Sequence, residues 1–137
     1  MAYTIRRAEY VHATVVDQPG VAYRVLSALE GLGVDLLAFT AVPVGPDRTQ
    51  LTLFPADPSK MEAEAGRARM TLDGPHPALL LQGDDELGAL VEVHEKLYRA
   101  NVNVYAAMGV SDGSGQYGYV IYVREEDCKR AAKALGV

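Results

Sequence analysis

Gly20 and Gly88 stand 68 residues apart, and each follows a turn containing an acid and precedes an apolar helix pattern. Sliding the sequence by that interval also lays Asp17 on Asp85, Val25 on Val93 and Leu29 on Leu97. The same shift lays Val34 on Val102, Ala38 on Ala106 and Gly45 on Gly113. Identities are few, but the order of elements repeats without a gap, and this is the mark of an internal duplication. A chain of 137 residues built this way reads as two minimal units rather than one ordinary domain.

In the first half, residues 10–16 are rich in Val and Thr and read as a strand. The strand stops at Asp17, Gln18, Pro19 and Gly20, a turn cluster with a proline and a permissive glycine. Val21, Val25, Leu29 and Leu32 then recur at helical spacing, with Leu26 and Ala28 widening the stripe and Gly31 and Gly33 closing it. Residues 34–44 form an apolar strand that ends in a hairpin turn at Gly45, Pro46 and Asp47, and residues 49–54 return as a strand. A helix over 60–68 and a short strand over 70–72 follow, and Asp73, Gly74 and Pro75 break the chain.

The programme then restarts. Residues 78–81 are a strand, and the turn carries Gly83, Asp84, Asp85 and Glu86. Leu87, Leu90, Val91, His94 and Leu97 make a helix face, residues 102–110 and 117–123 are strands, and 126–135 is a helix. Each half is therefore β-α-β-β-α, with a fourth strand in the first half only. The fold class is α+β: two tandem ferredoxin-like units, over residues 1–74 and 75–137, each an antiparallel sheet with its helices on one face. Units of this size bury little surface alone, which favours packing together and a homodimer. The second sheet lacks a fourth strand, and either residues 2–6 or a second copy of the chain fills the gap.

Composition narrows the function. Half the residues are hydrophobic (49%) and 23% are charged, as in a globular protein with a core. A net charge of −5 argues against gripping phosphate backbones. One cysteine, Cys128, excludes an internal disulfide and fits a reducing compartment. Nothing at the N-terminus has the length of a signal peptide, and no run spans a membrane, so the expectation is cytoplasmic. No phosphate loop, nucleophile elbow or acid–base pair stands out, so neither an enzyme nor a cofactor is expected.

Residues 115–122 carry a rival signal, because Tyr117, Tyr119 and Tyr122 match the aromatic core of an RNA-recognition strand. Gly115 and Gln116 replace its basic opening, however, and residues 78–82 hold no second aromatic platform. Packing or interface tyrosines are the commoner reading. His12, His76 and His94 are scattered without metal-ligand spacing, and Asp84, Asp85 and Glu86 suit the positive end of the helix that follows.

The run Asp17-Gln18-Pro19-Gly20-Val21, then Val25, Leu26 and Leu29, then Gly33-Val34-Asp35-Leu36, resembles the ACT domain family. In the second half Asp85-Glu86-Leu87-Gly88, Leu97 and Asn101-Val102-Asn103-Val104 keep the skeleton, with Leu87 where the proline would stand. The resemblance implies sensing of an amino acid or other small ligand and signalling to a separate regulated protein. It assigns the ligand to Asp17, Gln18, Pro19, Gly20 and Val21 and to Asp84, Asp85, Glu86, Leu87, Gly88 and Ala89. Physics points the same way: a helix N-terminus offers unpaired N–H groups to a carboxylate, and glycine lets the ligand approach. Asp17 and Asp85 then either meet an ammonium group or simply cap their helices. A ligand-free interaction module and a single-stranded RNA binder are the alternatives.

Overall fold

Fourteen residues of extended chain, β1 (Tyr3–Val16), open the structure, a computed structural model that describes residues 3–67 and 71–137. After it come α1 (Val21–Gly31), β2 (Leu36–Pro43), β3 (Arg48–Pro55) and α2 (Pro58–Arg67). Then follow β4 (Asp73–Asp84), α3 (Ala89–Arg99), β5 (Ala106–Ser111), β6 (Gln116–Tyr122) and, past a 3₁₀ turn at Glu125–Asp127, α4 (Cys128–Leu135). The chain forms two compact units. One is Glu9–His76, and the other joins the start of β1, through Ala8, to Pro77–Val137.

In the unit Glu9–His76 the strands run β2-β3-β1-β4, with antiparallel registers such as Val11 opposite Leu53 and Phe39 opposite Leu53. Val11, Leu29, Val34, Leu53 and Met61 are its buried centre, so one face of α1 and one of α2 close on the same side of the sheet. The first residues of β4 supply the fourth strand. The turn expected at Asp73, Gly74 and Pro75 is therefore strand. Gly74 makes the pairing possible: a Cβ there would lie 2.9 Å from the Tyr10 carbonyl oxygen and 3.1 Å from Val11 Cγ1.

In the other unit the order is β1-β4-β6-β5, with Leu81 opposite Tyr119 and Leu79 opposite Ile121. Its core holds Leu79, Leu81, Ile121 and Val123 from the strands, Val93 and Leu97 from α3, and Ala131, Ala132 and Leu135 from α4. The gap foreseen in this sheet is filled by the chain's own N-terminal segment: Tyr3 and Ile5 pack on that core, and the Lys96 ammonium donates to the Tyr3 hydroxyl at 3.0 Å.

The interval of 68 relates bonds as well as letters. Asp17 N–H donates to the Asp47 carbonyl at 2.9 Å, and Asp85 N–H to the Gly115 carbonyl at 2.8 Å. Both Val34 and Val102 close their helices by donating to Leu29 and Leu97 respectively, each at 2.9 Å. Several expectations do change. Leu26 and Ala28 are exposed and do not widen the α1 stripe. In α3 the buried stripe is Ala89, Val93 and Leu97, while Val91 is exposed. Leu87 precedes the helix, so helical periodicity never turned it inward. Residues 102–105 are not strand, because Val102 is still bonded to the end of α3 and buried; β5 starts at Ala106. Ala68 and Met70, expected in a helix and a short strand, lie outside the described residues.

Leu97→Ala, at a fully buried site, is expected to cost about 2–5 kcal/mol in urea denaturation. Ile5→Ala, half buried at the far end of the sequence, is expected to cost about 1–2 kcal/mol. No loss at Ile5 contradicts the role given to the N-terminal segment.

Candidate functional site

β4 ends at Asp84, and Gly88 at φ 77° stands at the head of α3. A cleft of about 460 Å³ opens there. The turn contributes Asp85, Glu86 and Gly88 to its walls, and α3 contributes Ala89, Leu90 and Val91. β5 contributes Gly109, Val110 and Ser111, and β6 contributes Tyr117, Gly118 and Tyr119. Two strands, a turn and a helix end thus face one volume, at the lower end of the size that holds a small metabolite.

The three acids of the turn differ in what they touch. The Asp84 carboxylate accepts from Gln116 Nε2 at 2.8 Å, and that of Asp85 accepts from the Ser111 hydroxyl at 2.9 Å. Glu86 accepts no side-chain hydrogen bond among the described residues, and its carbonyl receives the Ala89 N–H at 3.0 Å. The Val91 N–H turns to the Gly88 carbonyl, also at 3.0 Å. Neither α1 nor α3 is capped by a side chain, so Asp17 and Asp85 are not N-caps. Their N–H groups instead tie each turn to the hairpin loop across the sheet.

On the strand side, Tyr119 lays its ring over Gly109, where an added Cβ would come within 2.6 Å of the ring. The Tyr119 hydroxyl and His94 Nε2 are 2.8 Å apart, so the helix-face histidine is satisfied by a tyrosine. Tyr117 is only 8% exposed, and its hydroxyl is buried without a partner. Burial, reinforced by the Tyr3, Glu86 and Asp84 side chains, raises its pKa. These positions count against the RNA reading. Tyr117 and Tyr119 alternate onto the face of β6 that carries Ile121, the face covered by helices, rather than an open one.

Of the residues singled out from sequence, Asp85, Glu86, Gly88 and Ala89 line the cleft. Asp84 is held by Gln116, and Leu87 is fully exposed; neither forms part of the wall. Asp17, Gln18, Pro19 and Gly20 form an exposed turn with Val21 half buried behind it. A Cβ on Gly20 would meet open space, so it is φ 87° that calls for glycine there. Sequence reasoning missed Ser111, Gly109 and the wall role of Tyr117. The one available signal, the tyrosine strand, was pointing at the inner face.

A second cavity, of about 320 Å³, lies within Glu9–His76 against α2, with Val11, Met61, Leu72 and Pro75 in its walls and Glu9 and Glu62 beside them. The histidines that look scattered in sequence are partly gathered: the His12 and His76 rings are 5.7 Å apart, both against Tyr10. His12 Nδ1 lies 3.1 Å from the Thr52 hydroxyl. Among the described residues no three His, Cys, Asp or Glu side chains group as a metal site, and no helix is long and apolar enough to cross a membrane.

No protein-family model and no curated protein matches this sequence. Solved structures do share its fold. Protein BT0572 from Bacteroides thetaiotaomicron aligns over 97% of this chain and 91% of its own, with a TM-score of 0.78 and 16% identity. The regulatory subunit of aspartate kinase from Thermus thermophilus, in a ligand-free form, aligns over 98% and 94%, with a TM-score of 0.65 and 16% identity. A structure of aspartokinase alpha and beta subunits aligns over 100% and 99%, with a TM-score of 0.63 and 15% identity. At such identities the likeness is one of fold alone: an antiparallel sheet with four helices.

Burial, and then the His76 charge, lower the pKa of His12 from 6.5. A histidine with a lower pKa folded than unfolded binds fewer protons in the native state. Its contribution to stability is therefore complete above pH 6.5 and is lost as pH falls through the folded value. Urea midpoints are expected to decline below that pH, and His12→Gln is expected to flatten the decline. An unchanged slope in the variant contradicts this role.

Proposed function

We propose that this chain is a non-catalytic regulatory protein of two tandem ACT-type units, which binds a small metabolite, an amino acid first among them, and acts through a separate partner or a change of assembly. The observation that carries the reading is the cleft at the head of α3, where the turn after one strand meets the facing strand β5. It unites a glycine-opened helix N-terminus, suited to a carboxylate, with acids suited to an ammonium. The matched bonds at an interval of 68 residues support the tandem reading. The turn of residues 17–21 is the equivalent, more open, candidate in the first unit.

A homodimer belongs to the same proposal. β5 is the outermost strand of its sheet, its six residues are all exposed, and Val110 is 65% and Val91 67% exposed beside it. Such an edge is normally covered. Light scattering that reports the mass of one chain at micromolar concentration contradicts the dimer.

A thermal-shift panel of the proteinogenic amino acids tests the ligand. A ligand at a hundred times its Kd adds about 2.7 kcal/mol to the native state, which raises the midpoint by roughly 5–10 °C in a chain of this size. Ser111→Trp, on an exposed strand residue of the cleft wall, is expected to keep the fold and remove the shift. Asp85→Asn is expected to weaken binding less, since its carboxylate already serves Ser111. A panel without any shift contradicts the reading, and a shift that survives Ser111→Trp moves the site elsewhere.

A further inference from the structure

We propose that the cavity against α2, in the unit Glu9–His76, binds a small aliphatic amine that carries no carboxylate. The ammonium is taken by Glu9 and Glu62, and the hydrocarbon body lies on Val11, Met61, Ala65 and Leu72. This is a second site, in the unit that does not hold the α3 cleft, and it does not depend on the reading given above.

The fold does not require this hollow, as comparison of α2 with α4 makes plain. Gly33 and Asn101, an interval of 68 apart, follow α1 and α3 at positive φ of 72° and 58°. A cation from the later helix of each unit sits on each of these ends. An added Cβ on Gly33 would lie 2.9 Å from Lys60 Nζ, and the Arg130 guanidinium donates to the Ala100 and Asn101 carbonyls at 2.9 and 3.0 Å. Lys60 and Arg130 thus hold matching places. Counting on from them sets Met61 against Ala131, Glu62 against Ala132 and Ala65 against Leu135. In α4 all three side chains are buried and close the core. In α2 an alanine stands where α4 has its leucine, and an exposed glutamate stands where α4 has a buried alanine. A leucine cut back to alanine in a packed layer leaves a hollow, and one of about 320 Å³ lies there.

The charges at its walls decide the occupant. Glu9 is two residues before Val11 on β1, so both face the side of the sheet that the helices cover. Glu9 and Glu62 both line the cavity, and neither makes a hydrogen bond or ion pair among the described residues. The two cations of α2 are engaged elsewhere, Lys60 at the end of α1 and Arg67 with Glu64 at 2.6 Å. A ligand carboxylate or phosphate would bring a further negative charge to two bare ones, and an uncharged chain would leave both unpaired. An ammonium on a short hydrocarbon chain meets the acids and covers the apolar wall together.

Thermal melts and calorimetry on the full chain test this with butylamine, against butanol and butyrate as the uncharged and anionic chains of the same length. Butylamine is expected to raise the melting midpoint at concentrations where butanol and butyrate do not. Glu62→Gln, on an exposed residue, is expected to weaken butylamine about tenfold. Ala65→Leu gives α2 the side chain that α4 carries; it is expected to hold or raise the ligand-free midpoint and to abolish the butylamine shift. A ligand-free midpoint several degrees lower in Ala65→Leu overturns the proposal, since the space is then already filled. No shift with butylamine, an equal shift with butanol, or a shift that survives both variants overturns it as well.

Discussion

Between the last residue of β4 and the first of α3 the chain turns from strand to helix within residues 85–88, and Gly88 at φ 77° is what lets it do so. A side chain in the left-handed region is strained, and a wider loop would carry the helix end away from the sheet. The tight turn sets the register of α3 so that Ala89, Val93 and Leu97 fall on the core. It also leaves the mouth of the helix over β5 and β6, which is where the cleft forms. Gly20 at φ 87° performs the same reversal ahead of α1. One backbone conformation, used twice, thus orders both cores.

Much of this was legible in the letters because it depends on local chemistry. Glycine after an acidic turn, apolar spacing of four and three, and hairpin signals at Gly45 and Gly113 all act within a few residues. The interval of 68 residues carried the rest, since a repeated pattern implies a repeated fold. What stayed hidden was decided by contacts between distant segments. The letters left two candidates for the gap in the second sheet, residues 2–6 or a second copy, and the choice between them lies in the packing of Tyr3 and Ile5 on a core drawn from the other end of the chain. The strand character of Asp73, Gly74 and Pro75 likewise needs the close approach of β1 at Gly74.

The site was half legible for a related reason. Sequence pointed to the turn of residues 84–89 and singled out Asp85 among its three acids, as ammonium partner or helix cap. Only the fold shows Gln116 and Ser111 engaging Asp84 and Asp85 and passing Glu86 by. The tyrosines of β6 were visible, yet which face they take depends on pairing register, and a shift of one residue would have turned Tyr117 and Tyr119 outward. With Leu81 opposite Tyr119 and Leu79 opposite Ile121, Tyr117 goes inward to the head of α3. An RNA platform and a ligand pocket differ here by a single step of register.

A titration of the isotopically labelled protein with the amino acid selected by the panel, followed residue by residue in amide NMR spectra, tests the central claim most directly. The account predicts the largest shifts at Glu86, Gly88, Ala89 and Leu90, at Gly109, Val110 and Ser111, and at Tyr117. Shifts confined to residues 9–11, 55–66 and 72–75, around the other cavity, would contradict it.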